Sequence, residues 1–357
     1  MKFVYRFPVA RGVQATREYY IAMVPLNMIG RLFTSDAEYI PPEYRAQRRL
    51  NEARIPVISK YILDNRNTYT FSALAASIDG TFGYTPSELN ADVGILEISG
   101  DARFLINDGQ HRKAAIMEAL REDSTLADES IPIVFFADQG LAHSQQIFTD
   151  LNKNAIKTSN SISELYDSRD RIAVLTRDVV GQIDFLNAYT DKEKDILGKY
   201  SSNLFTLNTF YTANKLIIGT AYSQAKVSEF LLHFWSCIVQ HMLPWRELER
   251  QEIAKIDLRG KYIATQSVVI QALGRVGAYF YNHPECDMEQ RIGKLDKIKW
   301  QRSAPIWLYR AIQPNGRIIT NKKAAMLIAN VLKQAMEIPL TEDEMAAEKG
   351  ILMEVGQ

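Results

Sequence analysis

Cysteine is scarce: Cys237 and Cys286 are the only two in 357 residues, too few for a disulfide framework and in keeping with a reducing cytoplasm. Net charge is lacking as well, with 42 Lys and Arg against 42 Asp and Glu. No global field advertises nucleic acid, and any such site must come from local clustering. Long apolar runs are missing too. The most apolar stretch, Phe230 to Leu243, holds His233, Gln240 and His241 and is too short to span a bilayer, so it reads as a buried helix. Met1-Lys2-Phe3-Val4-Tyr5-Arg6 lacks the apolar core of a signal peptide, and no membrane partner is expected. His143, His233, His241 and His283 lie without recognised ligand spacing, and no zinc-type cysteine pairs, Walker loop or paired acidic motif is evident. No metal site is therefore expected, and a self-sufficient ATP motor is disfavoured.

What is present is an ordinary folding composition, 46% apolar and 24% charged, in a chain long enough for two domains. The most informative stretch is Ile106-Asn107-Asp108-Gly109-Gln110-His111-Arg112-Lys113. Before it, Arg103 to Ile106 suits a buried strand. After it, Lys113 to Leu120 has helical spacing and strong helix formers. A strand-to-helix turn of this kind exposes the first backbone N–H groups of the helix at the positive end of its dipole, where an anion is favoured. Gly109 permits close backbone approach, and Arg112 can fork onto phosphate oxygens. The plainer alternative is that Asp108 caps the helix, Gly109 only turns, and His111 and Arg112 pair with carboxylates elsewhere.

Asp-Gly-Gln-His-Arg at 108–112 resembles the hallmark of the DGQHR-domain family, and length and flanks resemble its DndB branch, associated with bacterial DNA phosphorothioation. The similarity extends to Gln146–Asn152 and to Trp300, Arg302 and Trp307. A more distant kinship is to the ParB and sulfiredoxin superfamily, whose Gly-x-x-Arg turn binds CTP or ATP. Here that turn is Gly109-Gln110-His111-Arg112, and Gln110 stands where sulfiredoxins carry their reactive cysteine, which argues against sulfur chemistry of that type. The resemblance implies a DNA-binding transcriptional regulator of the phosphorothioation operon. It also implies a nucleotide or phosphate site at Asp108, Gly109, Gln110, His111 and Arg112, to which Asn152 and Asn154 add from the segment after the next strand. The nucleotide implied is ATP, or another nucleoside triphosphate, with Mg²⁺. The alternative is an ATP-hydrolysing, DNA-nicking accessory enzyme in which Asp108 or His111 positions water or moves a proton. A third reading is an interaction scaffold for other DNA sulfur modification proteins, with self-association left open.

The expected fold is α+β, with a ParB/sulfiredoxin-like mixed-sheet domain over residues 1–160 and a mostly helical domain over 161–357. Lys2 to Val9 and Glu18 to Val24 read as strands parted around Gly12. Gly94 to Ile98 and Arg103 to Ile106 read as a hairpin about Gly100-Asp101. Ile131 to Ala137 is expected beside the motif strand. Helical spacing covers Leu165–Ile183, Leu204–Tyr222, Val227–Met242 and Ile263–Tyr281, whose aromatic residues are expected in the core.

Two basic stretches are candidates for duplex DNA. One is Arg45, Arg48, Arg49 and Arg54. The other runs from Arg291 to Lys333, where ten basic residues and one acid, Asp296, leave about +9. Within it Lys299, Arg302, Arg317, Lys322 and Lys323 are expected to contact phosphates, the last two in the first turn of a helix near Asn321. The counter-reading is a solvated basic face offset by the acidic tail that begins at Glu337.

Overall fold

The computed structural model describes residues 3–33, 51–137, 146–147, 149–151, 158–219 and 226–355. The chain divides into two units, 1–156 and 157–357, and is α+β. Among the described residues no helix is long and apolar enough to cross a membrane.

The first unit is a seven-stranded mixed sheet with the order β4-β5-β1-β2-β7-β3-β6. Its strands are β1 (Val4–Gln14), β2 (Arg17–Pro25), β3 (Leu74–Asp79), β4 (Phe82–Pro86), β5 (Val93–Ser99), β6 (Arg103–Asp108) and β7 (Ser130–Ala137). Three helices, α1 (Leu26–Leu32), α2 (Ile55–Asp64) and α3 (Gln110–Glu122), share one apolar core with alternate strand residues such as Phe7, Val9, Leu96, Ile106, Ile133 and Phe135. The expected break at Gly12 does not occur. β1 runs through it because Gly12 pairs with Tyr19, whose ring occupies the space a Cβ would need, and the reversal falls at Ala15-Thr16, both at positive φ.

The expected hairpin between β5 and β6 is also absent. β5 pairs with β1 and β4, whereas β6 pairs with β3 at the other edge. In a flat sheet those strands would lie five spacings apart, about 24 Å, yet four Cα steps from Ser99 to Arg103 reach at most about 15 Å. The sheet must therefore curl. The rings of Tyr5 on β1 and Phe104 on β6 accordingly meet with centroids 5.8 Å apart. Nor is β7 next to the motif strand: it lies between β2 and β3, parallel to β3, which separates it from β6.

The second unit is helical: α4 (Asn160–Tyr166), α5 (Arg171–Gln182), α6 (Asp184–Tyr189), α7 (Leu207–Ile218), α8 (Val227–His241), α9 (Leu243–Glu249), α10 (Lys255–Lys261), α11 (Ser267–Asn282), α12 (Met288–Ile292), α13 (Lys322–Ala335) and α14 (Glu342–Val355). The single helix expected over Leu165–Ile183 is split. Asp170 Oδ1 accepts the Ile172 and Ala173 amides and starts α5 afresh, and Asp167 Oδ1 accepts those of Arg169 and Asp170. The core is aromatic, with Phe205, Phe210, Phe234, Trp235, Trp245, Trp300 and Trp307 all at most 2% exposed. Trp300 and Trp307 stack on each other at 5.6 Å inside it, so neither offers a platform for a nucleic-acid base.

Candidate functional site

The Asp108–Arg112 turn joins the end of β6 to the start of α3, as its local pattern requires. Gly109 caps α3 at φ +103, and a Cβ there would strike Leu74 on β3. Both facts confine the position to glycine. No side chain caps the first turn of α3, so its leading amides point outward beside the positive end of the helix.

Arg112 faces inward rather than outward. Its Nη1 donates to the Ser72 carbonyl at 2.7 Å, the Ser72 hydroxyl at 2.5 Å and the Ala73 carbonyl at 2.8 Å. Its Nη2 donates to Asp108 Oδ2 at 2.5 Å, and the side chain is 17% exposed. The guanidinium thus ties the turn to the chain entering β3, and Asp108 serves as its counter-charge. His111 accepts a hydrogen bond at Nε2 from the Asn51 backbone N–H, 3.0 Å away, an arrangement open to the neutral ring. Burial, and then the positive charge of Arg54, push the His111 pKa below its ordinary value. Beneath the turn, buried Asn107 accepts from the Ser77 hydroxyl at 3.0 Å.

Two groups at this turn stand out among the described residues, one unsatisfied and one partly desolvated. Gln110 Nε2 is buried with no hydrogen-bond partner. Lys113, one turn into α3, is partly buried, has no carboxylate beside it, and has its pKa lowered by desolvation. Helical side chains lean toward the N-terminus, so Lys113 extends back over the turn. The motif did not mark Lys113 for a role; its spacing of four from Gly109 was the available signal. Asn152 and Asn154 lie outside the described residues, as do Arg45, Arg48 and Arg49. Arg54 is exposed in a short 3-10 turn, Glu52–Arg54.

In the second unit, much of the basic stretch is already engaged. Arg291 donates to the Met336 and Glu337 carbonyls, and Lys294 pairs with Glu337 at 2.6 Å. Arg310 pairs with Glu348 at 2.6 Å, and buried Lys333 holds both carboxylate oxygens of Glu344 at 2.6 and 2.8 Å. Arg302 donates to the Arg259 and Tyr262 carbonyls at the end of α10, where burial lowers its pKa. Three of these cations meet carboxylates from outside the stretch, so the formal +9 falls to about +6. Lys299, Arg317, Lys322 and Lys323 are exposed and have no carboxylate partner among the described residues. The last two open α13, capped by Asn321 Oδ1 accepting the Ala324 amide at 2.8 Å. Arg291 and Lys294 sit at the other end of that helix, about 20 Å away along its axis, and so are separate from Lys322 and Lys323.

The chain thus combines a curled mixed sheet, which delivers Asp-Gly-Gln-His-Arg at a strand-to-helix corner, with a helical unit. The chain belongs to the DndB family, DNA-sulfur modification-associated, whose model matches residues 7–339. No curated protein and no solved structure matches it. Involvement in a DNA sulfur modification system follows from that membership.

Proposed function

We propose that the protein is a duplex-DNA-binding regulator of the phosphorothioation operon, with a nucleotide or phosphate site at the Asp108–Arg112 turn. The observation that carries the anion site is Lys113. A partly desolvated cation without an ion-pair partner among the described residues, near the uncapped start of a helix, is relieved by an anion at that place. The unpartnered Gln110 amide adds a donor. In this reading Arg112 braces the turn while backbone amides and Lys113 hold the phosphate, and His111 responds to it by gaining a proton. ATP, or another nucleoside triphosphate, with Mg²⁺ is the ligand to test. Arg317, Lys322 and Lys323 supply DNA phosphate contacts.

Hydrolysis or nicking draws less support, because Asp108 is held by Arg112 and the acceptor nitrogen of His111 is taken by the Asn51 amide. The deciding experiment is a gel shift on the protein's own promoter, with and without ATP and CTP, beside an assay of phosphate release. Preferential retention of the promoter, altered by a nucleotide that is not consumed, is expected. Equal affinity for promoter and random duplex would overturn the regulator reading, and phosphate release abolished in His111→Gln would favour the enzyme.

A further inference from the structure

On α8, His233 and Cys237 stand four residues apart and so share a face one turn from each other. Glu289, in the first turn of α12, lies against that face, with its Oε1 2.6 Å from His233 Nε2. Ligand atoms from all three, an imidazole nitrogen, the Cys237 sulfur and a carboxylate oxygen, lie within 4.8 Å of one another. We propose that His233, Cys237 and Glu289 form a site for a divalent metal of the zinc class, with a fourth position left to water or a further ligand.

The chemistry of the donors selects the ion. Nitrogen, sulfur and oxygen together match zinc, which takes such ligands at about 2.0–2.3 Å in a tetrahedron, whereas calcium and magnesium prefer oxygen alone. Tetrahedral ligands at those lengths stand about 3.5 Å apart, so the trio needs small side-chain adjustments. His233 and Glu289 are exposed enough to make them, at 51% and 68%, whereas Cys237 is fixed in the core at 6%. Cys237 is buried beside the Glu289 carboxylate, which favours the neutral thiol over the thiolate. A dication reverses that balance by neutralising the carboxylate and stabilising the thiolate, and binding releases the thiol proton to solvent. The consequence is a clamp between α8 and α12 at the head of the basic stretch. This pattern was missed in sequence because His233-x₃-Cys237-x₃-His241 is a helical stripe rather than a paired-cysteine knuckle, and its third donor, Glu289, arrives from a different helix. One turn further on, His241 Nδ1 meets Asp296 Oδ2 at 3.2 Å.

The test is Co²⁺ titration of the full-length, tag-free protein after chelator treatment. One equivalent should give a thiolate-to-cobalt charge-transfer band with tetrahedral visible absorption, displaced by Zn²⁺. Cys237→Ser should abolish the charge-transfer band, with circular dichroism confirming the fold. His233→Gln and Glu289→Gln, both at exposed positions, should each weaken Co²⁺ binding by about tenfold or more. Cys286→Ser should change nothing, because Cys286 lies outside the trio. A wild-type protein without a thiolate band, or a band that survives in Cys237→Ser and vanishes in Cys286→Ser, would overturn the proposal. So would unchanged Co²⁺ affinity in His233→Gln.

Discussion

Arg112→Ala separates a brace from a phosphate ligand. Four donor contacts from one guanidinium end on Ser72, Ala73 and Asp108, and hydrogen bonds to a charged group contribute about 1.5–3 kcal/mol each when their partners cannot turn to water. These partners largely can. Ser72 is exposed and the Asp108 side chain is 47% exposed, so the ion pair itself contributes at most about 1 kcal/mol. The Ala73 carbonyl and the packing of Leu74 against Gly109 resist rehydration. The sum is about 2–4 kcal/mol for opening of the β6–α3 corner, a factor of about 30 to 800 in its opening equilibrium. Hydrogen exchange read by mass spectrometry over residues 103–122 reports that opening directly. Arg112→Lys should recover little, since a single ammonium cannot span four acceptors on three residues as a planar fork does. Unchanged exchange in Arg112→Ala, together with lost nucleotide binding, would refute the brace and return Arg112 to the phosphate.

Three further outcomes follow from the geometry. Lys322→Glu with Lys323→Glu should weaken specific and random duplexes alike and flatten the salt dependence of binding, measured by filter retention; an unchanged salt slope would move the DNA site elsewhere. Lys333→Ala should destabilise the second unit by about 3–5 kcal/mol in urea titration, because it strands the Glu344 carboxylate in the core, while Lys333→Met with Glu344→Leu should lose much less. Glu164, 8% exposed with an unpartnered Oε2, is pushed up to about 8 by burial and then by the charges of Asp195 and Asp170. Its folded form holds a proton that the unfolded form releases above about pH 4.3, so stability should fall as pH rises toward 8, by at most about 5 kcal/mol. Glu164→Gln should flatten that slope, and a thermal-melting profile equally steep in the variant would exclude Glu164 as its source.

What was legible in the sequence was local. A short apolar run, a glycine and a run of helix formers fix the 106–120 corner within a few residues, and Asn321 before Lys322 fixes the start of α13, because caps and propensities act over one turn. What was illegible depends on distant partners. Pairing of β5 with β1 and of β6 with β3 is decided by core burial across the curled sheet, so two adjacent strand signals did not make a hairpin. Charge counting over 291–333 failed for the same reason: Glu344 and Glu348, outside the window, neutralise Lys333 and Arg310 within it.

The same logic reassigns roles inside the motif. Arginine in such a turn invites a phosphate when only its neighbours are known, but Ser72 and Ala73 reach it from about forty residues upstream and engage its Nη1. Its positive charge is also matched by Asp108, whereas Lys113 has no carboxylate partner among the described residues and is partly desolvated. An anion binding here gains most from the group whose charge is least compensated. Lys113→Met should therefore reduce nucleotide or phosphate affinity more than Arg112→Lys does, in calorimetry on protein whose α3 exchange is unchanged. Equal or smaller loss in Lys113→Met would mean that the amides and Arg112, not Lys113, hold the anion.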